Sequence, residues 1–133
     1  MQDGFDEIFD AIRKQWIRLT PEEWVRQNMI AYLVKERLVP AVLISIEKEI
    51  RVGDLKRRFD IVVFNTEGLP WLLVECKATT VSLSEKTIGQ TLGYLSEINC
   101  PYILITNGSY TYGWKVEAGG FHALTQLPLF GEN

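Results

Sequence analysis

A chain of 133 residues is long enough for one domain with a real core and too short for two ordinary ones. Its 47% apolar and 23% charged residues are those of a water-soluble globular protein, and no apolar run approaches the ~20 residues of a membrane span. Net charge −3 argues against a nonspecific nucleic-acid coat protein. The charge is uneven, because residues 1–58 carry eleven of the fourteen Lys and Arg. The opening residues have no basic n-region, so no secretory signal is expected. Cys76 and Cys100 are expected at opposite ends of a sheet, unbridged, which fits an intracellular, cytoplasmic home. Neither has metal-ligand spacing with His122, the only histidine, so a zinc site is not expected and His122 reads as a surface or edge residue.

In chain order, Phe5, Ile8, Phe9, Ile12 and Trp16 have helical spacing after a candidate Asp3 cap, with a short irregular lead-in as the alternative. Thr20-Pro21-Glu22-Glu23 is a clearer helix start: Thr as N-cap, Pro at the first helical position, Glu at N3. That helix takes apolar surface from Trp24, Met29, Ala31 and Leu33 and ends before Pro40. Residues 41–51 read as a long strand, with Ile44, Ile46 and Lys48 on one face and Ser45, Glu47 and Glu49 on the other. After a turn at Val52-Gly53-Asp54 come two more strands, Arg58–Phe64 and Trp71–Ala78, joined by Asn65-Thr66-Glu67-Gly68-Leu69-Pro70, a run suited to reversing the chain. Residues 84–98 read as a helix capped by Ser84, with Ile88, Leu92, Leu95 and Ile98 inward. Gly89 and Gly93 form a small-residue strip on it, for close approach either to the sheet or to a ligand. Pro101–Thr106 is another apolar strand, stopped by Asn107-Gly108. Tyr110–Val116 reads as the last strand, and the tail from Glu117 to Asn133 as mostly irregular. The helix between the third and fourth strands is a crossover, so those two strands should be parallel.

The chemistry concentrates in the middle strands. They should pair antiparallel, with Asp60 opposite or diagonal to Glu75. Glu75 and Lys77 share a face, while Cys76 points to the other. Leu72, Leu73 and Val74 make the Glu75 strand a buried one, an expensive place for charges unless something uses them. Two close carboxylates are held together cheaply by a divalent cation, and Mg²⁺ commonly takes one or two carboxylates plus phosphate oxygens. A neighbouring lysine can position water or stabilise charge growing on phosphorus. The plain alternative is a cross-strand salt bridge.

These residues and this order resemble the PD-(D/E)xK nuclease superfamily, and more closely the N-terminal nuclease domain of type I restriction enzyme R subunits in a stand-alone form. The matching segments are Leu19–Gln27, Arg58–Phe64, Leu73–Ala78, Gln90–Tyr94 and Ile105–Gly108, in family order over about four-fifths of the chain. The resemblance implies a single α/β domain over 1–133 with a restriction-endonuclease-like core, α-β-β-β-α-β, whose mixed central sheet is flanked by helices. It implies a nuclease hydrolysing phosphodiester bonds with Mg²⁺ or Mn²⁺. Asp60 and Glu75 match the acidic metal ligands, Lys77 the catalytic lysine, and the Cys76 carbonyl a further ligand. Glu23 matches an acidic metal-binding residue found in part of the superfamily; alternatively, it closes a capping box at N3. Gln90 and Tyr94 match a QxxxY motif: Gln90 would orient lysine, water or phosphate near the Glu75–Lys77 end, and Tyr94 would touch substrate or pack on the sheet. Lys56, Arg57 and Arg58 would grip phosphates, or form a solvated turn. Phe59 stands where the family motif has Pro. There is no GxxxxGK[ST] loop, so this chain alone is not expected to run an ATP-driven restriction reaction. The expected partners are DNA, with RNA left open, a second copy of the chain or a larger nucleic-acid-processing system, and no membrane. Two rivals stand beside this reading: a catalytically silent nucleic-acid- or protein-binding module of the same fold, and an interaction protein that dimerises through a sheet edge or the aromatic tail, Phe121 and Phe130.

Overall fold

The computed structural model describes residues 6–95, 98–118 and 120–132. The described chain opens with a hairpin in place of the expected first helix. Strands β1 (Glu7–Asp10) and β2 (Gln15–Arg18) pair antiparallel, with Ile8 opposite Ile17 and Phe9 opposite Trp16. The helical spacing of these apolar residues is overridden at Asp10, whose Oδ1 accepts the amides of Ile12 and Arg13 at 2.8 Å each. Asp favours such local turns over helix interiors. Lys14 then adopts φ 56° to bring the chain back, and the Phe9 and Trp16 rings meet edge to face at 5.5 Å. Asp3 and Phe5 lie outside the described residues.

Helix α1 (Pro21–Glu36) starts as the sequence predicts, the Thr20 hydroxyl accepting the Glu23 amide at 3.1 Å. The return arm of a capping box is not made. The Thr20 amide donates to the Arg18 carbonyl instead, and the Glu23 carboxylate is held by Arg13, Arg26 and Gln27. The buried stripe is Val25, Met29, Ile30 and Leu33; Trp24 and Ala31, expected inward, are exposed. Spacings of four, one and three residues keep that stripe on one face. The helix closes where Leu38 enters the left-handed region and the Val39 amide returns to the Leu33 carbonyl.

A 3₁₀ turn over Ala41–Leu43 replaces the start of the expected strand, which runs as β3 (Ile44–Val52). It is followed by β4 (Leu55–Phe64), β5 (Pro70–Cys76), α2 (Glu85–Tyr94), β6 (Tyr102–Thr106), β7 (Thr111–Glu117) and β8 (Gly120–Leu124). Lys56, Arg57 and Arg58 are therefore strand residues, not a turn. α2 is shorter than predicted, stopping at Tyr94 with Leu95 as its C-cap. β8 lies in a tail expected to be irregular; it pairs with β7 from Gly113↔Leu124 to Glu117↔Gly120. The six strands form one mixed sheet in the order β3-β4-β5-β6-β7-β8, with β5 and β6 parallel across the α2 crossover and the other neighbours antiparallel.

Each face of the sheet carries its own core. Ile61, Val63, Leu72, Val74, Cys76 and Leu104 pack against Val25, Met29, Ile30 and Leu33 of α1. Val62, Leu73 and Ile103 pack with Leu95, Ile98 and Cys100 on the other side. Full burial of such side chains is worth roughly 1.5–3 kcal/mol each. Phe130, a candidate dimer contact by sequence, is used internally: its ring lies 5.2 Å from Trp71, edge to face. Phe121 packs half-buried on the second core. Gly89 and Gly93 do not serve close packing on the sheet, since a Cβ on either would meet nothing within 4 Å.

Near Asp60 the alternation of faces slips on two strands together. Phe59 packs in the second core although Ile61, two residues on, packs in the first. On β3, Ile44 and Ile46 lie against the first core, but Ile50 lies against the second. Between them Glu47 takes φ 54°, and the paired register omits the Glu47–Asp60 step. The single-face assignment of Ile44, Ile46 and Lys48 is thereby broken. This irregularity is a β-bulge-like device, which re-aims a side chain, and the residue it re-aims is Asp60.

Candidate active site

Asp60 sits where β4 stops pairing with β5. The ladder descends through Val63↔Leu72 and Val62↔Leu73 to Ile61↔Val74 and ends. One step on, the Asp60 carboxylate becomes the acceptor, its Oδ2 taking the Cys76 amide at 2.7 Å. This short, charge-assisted bond pins Asp60 beside the Glu75–Cys76 peptide.

Glu75 follows Leu73 and Val74 on β5 and is only 8% exposed. Its carboxyl is pushed up from 4.5 to about 7, first by burial and then by the negative charge of Asp60; Arg57 and Lys77 pull the other way without prevailing. The nearest cation is the Arg57 guanidinium, with Nη2 4.0 Å from Oε1, too far for a hydrogen bond. Lys77 is the first residue past the strand, half-buried, its amide tied to the Thr106 carbonyl of β6 at 2.8 Å. The Cys76 side chain lies in the α1-side core. Burial, reinforced by Asp60, raises its thiol well above the usual range, so at neutral pH the sulfur is a poor ligand and the carbonyl is the group this residue can offer.

Sequence reasoning did not single out Arg26, although it lies inside the Leu19–Gln27 segment. It is a buried arginine on α1, 5% exposed. Its Nη1 holds Glu23 Oε1 at 2.8 Å, and its Nη2 reaches Asp60 Oδ1 at 3.3 Å, Glu47 Oε1 at 3.6 Å and Glu22 Oε1 at 3.7 Å. The Glu23/Arg26 spacing of i, i+3 was the available signal; the approach of Asp60 and Glu47 depends on the sheet. Behind it, Glu23 Oε1 also accepts Arg13 Nη2 at 2.8 Å, and Asp10 Oδ2 accepts Arg13 Nε at 2.7 Å. Gln27 bonds both Asp10 and Glu23. The hairpin and α1 thus form a scaffold that presents one guanidinium to Asp60.

On the other face, Arg57 links β4 to α2. Its Cζ stands 4.9 Å from the centroid of the Tyr94 ring and 5.8 Å from that of Phe59. Tyr94 is exposed, and so are Gln90, Lys56 and Arg58. Of the predicted residues, the structure brings together Asp60, Glu75, Cys76, Lys77 and Arg57, with Tyr94 joined through Arg57 and Glu23 through Arg26. The Gln90 side chain makes no hydrogen bond among the described residues. His122 is on the surface of β8 with Nε2 3.7 Å from Glu117.

Asp60 and Glu75 are the carboxylates that neighbouring strands β4 and β5 carry at this end of the sheet, Asp60 still ion-paired with Arg26. Among the described residues no three His, Cys, Asp or Glu side chains gather to hold a metal, so an all-protein cage such as a structural zinc site does not fit. A hard cation that takes two carboxylates and fills its shell with backbone, water and phosphate oxygens does fit. A groove of about 690 Å³ opens elsewhere on the α1 face, lined by Val25, Met29, Tyr32, Thr106 and Leu127 among others, and contains none of Asp60, Glu75 and Lys77.

A mixed sheet between two helices, with Asp60 and Glu75 on neighbouring strands and Lys77 directly after, is a restriction-endonuclease-like fold. The chain belongs to the family described as type I restriction enzyme R protein N terminus (HSDR_N), whose model matches residues 21–128. A solved structure with a similar fold is that of a "putative nuclease belonging to DUF820" from Anabaena variabilis ATCC 29413, with TM-score 0.51 and 10% identity over 90% of this chain and 76% of that one. No match is found among curated proteins. Among the described residues, no helix is long and apolar enough to cross a membrane.

Proposed function

We propose that the chain is one metal-dependent nuclease domain that hydrolyses phosphodiester bonds of DNA, with RNA open, using Mg²⁺ or Mn²⁺. The observation that carries this is the Asp60–Glu75 pair: two carboxylates from adjacent strands, one pinned on the Cys76 amide at 2.7 Å and the other raised to about 7 beside it. Such a pair is poorly stable alone and is satisfied by a divalent cation. When bound, the ion supplies Lewis-acid polarisation of the phosphate and a more acidic water. Asp60, Glu75 and the Cys76 carbonyl would hold it. Lys77 orients the attacking water and balances charge growing on the phosphoryl oxygens. Arg57, with Lys56 and Arg58 beside it on β4, positions the phosphates. Gln90 and Tyr94 are assigned to the substrate side of α2. Glu23 is assigned as the anchor of Arg26 in preference to a ligand, because its oxygens already accept Arg13, Arg26 and Gln27. The family points to work within a larger restriction-modification system, and the two free, buried thiols support a cytoplasmic setting.

The test is cleavage of single-stranded, duplex and branched DNA with Mn²⁺, beside Mn²⁺ calorimetry. Asp60→Ala should lose the ion. Lys77→Ala should keep fold and DNA binding while cleaving at least about a hundredfold more slowly, the scale on which single transition-state contacts act. Equal Mn²⁺ binding by wild type and Asp60→Ala, or full activity in Lys77→Ala, would remove the assignment. One observation favours a second reading, a silent binding module: Arg26 already sits 3.3 Å from Asp60 and could stand permanently for the cation. Absence of Mn²⁺ binding by the wild type would select it.

A further inference from the structure

We infer that the strand presented to Asp60 and Glu75 is unpaired, its bases stacking on the Tyr94 and Trp24 rings; this rests on the nuclease reading above. Two exposed aromatic rings stand at this end of the sheet, one on each helix. Tyr94, 64% exposed, has one ring face covered by the Arg57 guanidinium at 4.9 Å, and the same guanidinium is 4.0 Å from Glu75. A ring covered on one side and still largely exposed has its other side open, and a cation behind the ring fixes its orientation. Trp24, 45% exposed, follows Glu23 on α1. Its ring edge lies 3.0 Å from the position of a Cβ on Gly108, which is 3.6 Å from the Thr79 methyl. Gly108 and Thr79 both belong to the end of the sheet where Thr106 stands beside Cys76. Thus Trp24 stands on the α1 side of this end of the sheet, and Tyr94, through Arg57, stands beside Glu75 on the α2 side.

A duplex cannot use such rings, because its bases already stack on each other and show only their edges. An unpaired base offers its face, and each stack is worth about five- to 150-fold in affinity. Charge leads to the same conclusion. Duplex affinity comes chiefly from many phosphate contacts, but this chain has net charge −3; of the basic residues at the site, Arg26 is held by Asp60 and Glu23, and Arg57 is shared with Glu75 and Tyr94, which leaves Lys56, Arg58 and Lys77. Stacking is the attraction this edge can supply.

The test is fluorescence polarisation of the full chain in EDTA with three labelled probes: a twenty-nucleotide thymidine strand, an abasic strand of equal length and charge, and a blunt duplex. The thymidine strand should bind at least about tenfold more tightly than the other two. Tyr94→Ala and Trp24→Ala should each weaken it by about fivefold or more, while Tyr94→Phe, which keeps the ring and loses only the hydroxyl, should bind as wild type. Equal affinity for the abasic strand or the duplex, no binding of the thymidine strand, or an unaffected Tyr94→Ala would overturn the inference. Cleavage with Mn²⁺ is measured separately. Duplex cutting with no preference for unpaired strands sinks this inference and leaves the nuclease reading standing; strand-selective binding without cleavage does the reverse.

Discussion

Replacing Glu75 by Gln should stabilise the folded chain at pH 8 when divalent ions are absent. The carboxyl ordinarily titrates at 4.5 and in the folded chain at about 7. Because the folded value is raised, the folded state keeps a proton that the unfolded state releases between those two pH values. Stability is therefore highest below the unfolded value and falls as pH rises through the window, with the full cost in place above the folded value. A shift of that size corresponds to roughly 3 kcal/mol, and the carboxylate is buried enough for little of it to be screened. The amide that replaces the carboxyl in Glu75→Gln bears no charge and should escape this cost. Urea or thermal melts in EDTA should show Glu75→Gln ahead by up to about 3 kcal/mol at pH 8, or about 10 °C for a chain of this size, and by about 1 kcal/mol or less at pH 5. Saturating Mn²⁺ at a hundred times its Kd adds about 2.7 kcal/mol to whichever protein binds it, so it should lift wild type and leave Glu75→Gln unmoved. A variant no more stable than wild type at pH 8, or a gap that does not shrink towards pH 5, would refute the burial and like-charge argument.

Arg26→Met should cost about 3 kcal/mol in urea unfolding, because buried Glu23 and half-buried Asp60 lose their shared guanidinium; an unchanged midpoint would show that the cluster is not coupled. Two kinds of glycine should respond oppositely to alanine. Gly89→Ala and Gly93→Ala have open space around the new methyl and should each gain up to about 1 kcal/mol from helix propensity. Gly113→Ala would place its methyl 2.7 Å from Leu104 in the core and should lose about 1–3 kcal/mol. Thermal melts of the three variants check the contrast. Both cysteines are buried and their thiols raised by burial, Cys100 to about 12, so Ellman's reagent should find no reactive thiol at pH 8 until denaturant is added.

Local signals were enough where an element is closed by its own neighbours in the chain. Thr20-Pro21 starts α1, Ser84 starts α2, and Asn65 accepts the Glu67 and Leu69 amides in the turn that sets β4 against β5. The crossover helix required β5 and β6 to be parallel, and strand alternation put Glu75, which faces Arg57, on the face away from Cys76. Resemblance then attached roles to those positions. Local signals misled at the first hairpin, where helical spacing was coincidental and the Asp10 turn decided, and in the tail, where Gly120–Leu124 becomes a strand only because β7 offers an edge.

The site's electrostatics belonged to the tertiary structure. The paired slip at Glu47 and Asp60 needs two strands to be irregular opposite each other, which neither strand encodes alone. Arg26 meets Asp60 and Glu47 across sequence separations of 34 and 21 residues, and Arg57 meets Tyr94 across the sheet and a crossover. Sequence by itself determined which residues carry charge and which elements present them. Only the packed fold decided how deeply each charge is buried and which charge it meets, and those two quantities hold Asp60 on the Cys76 amide and move Glu75 to about 7.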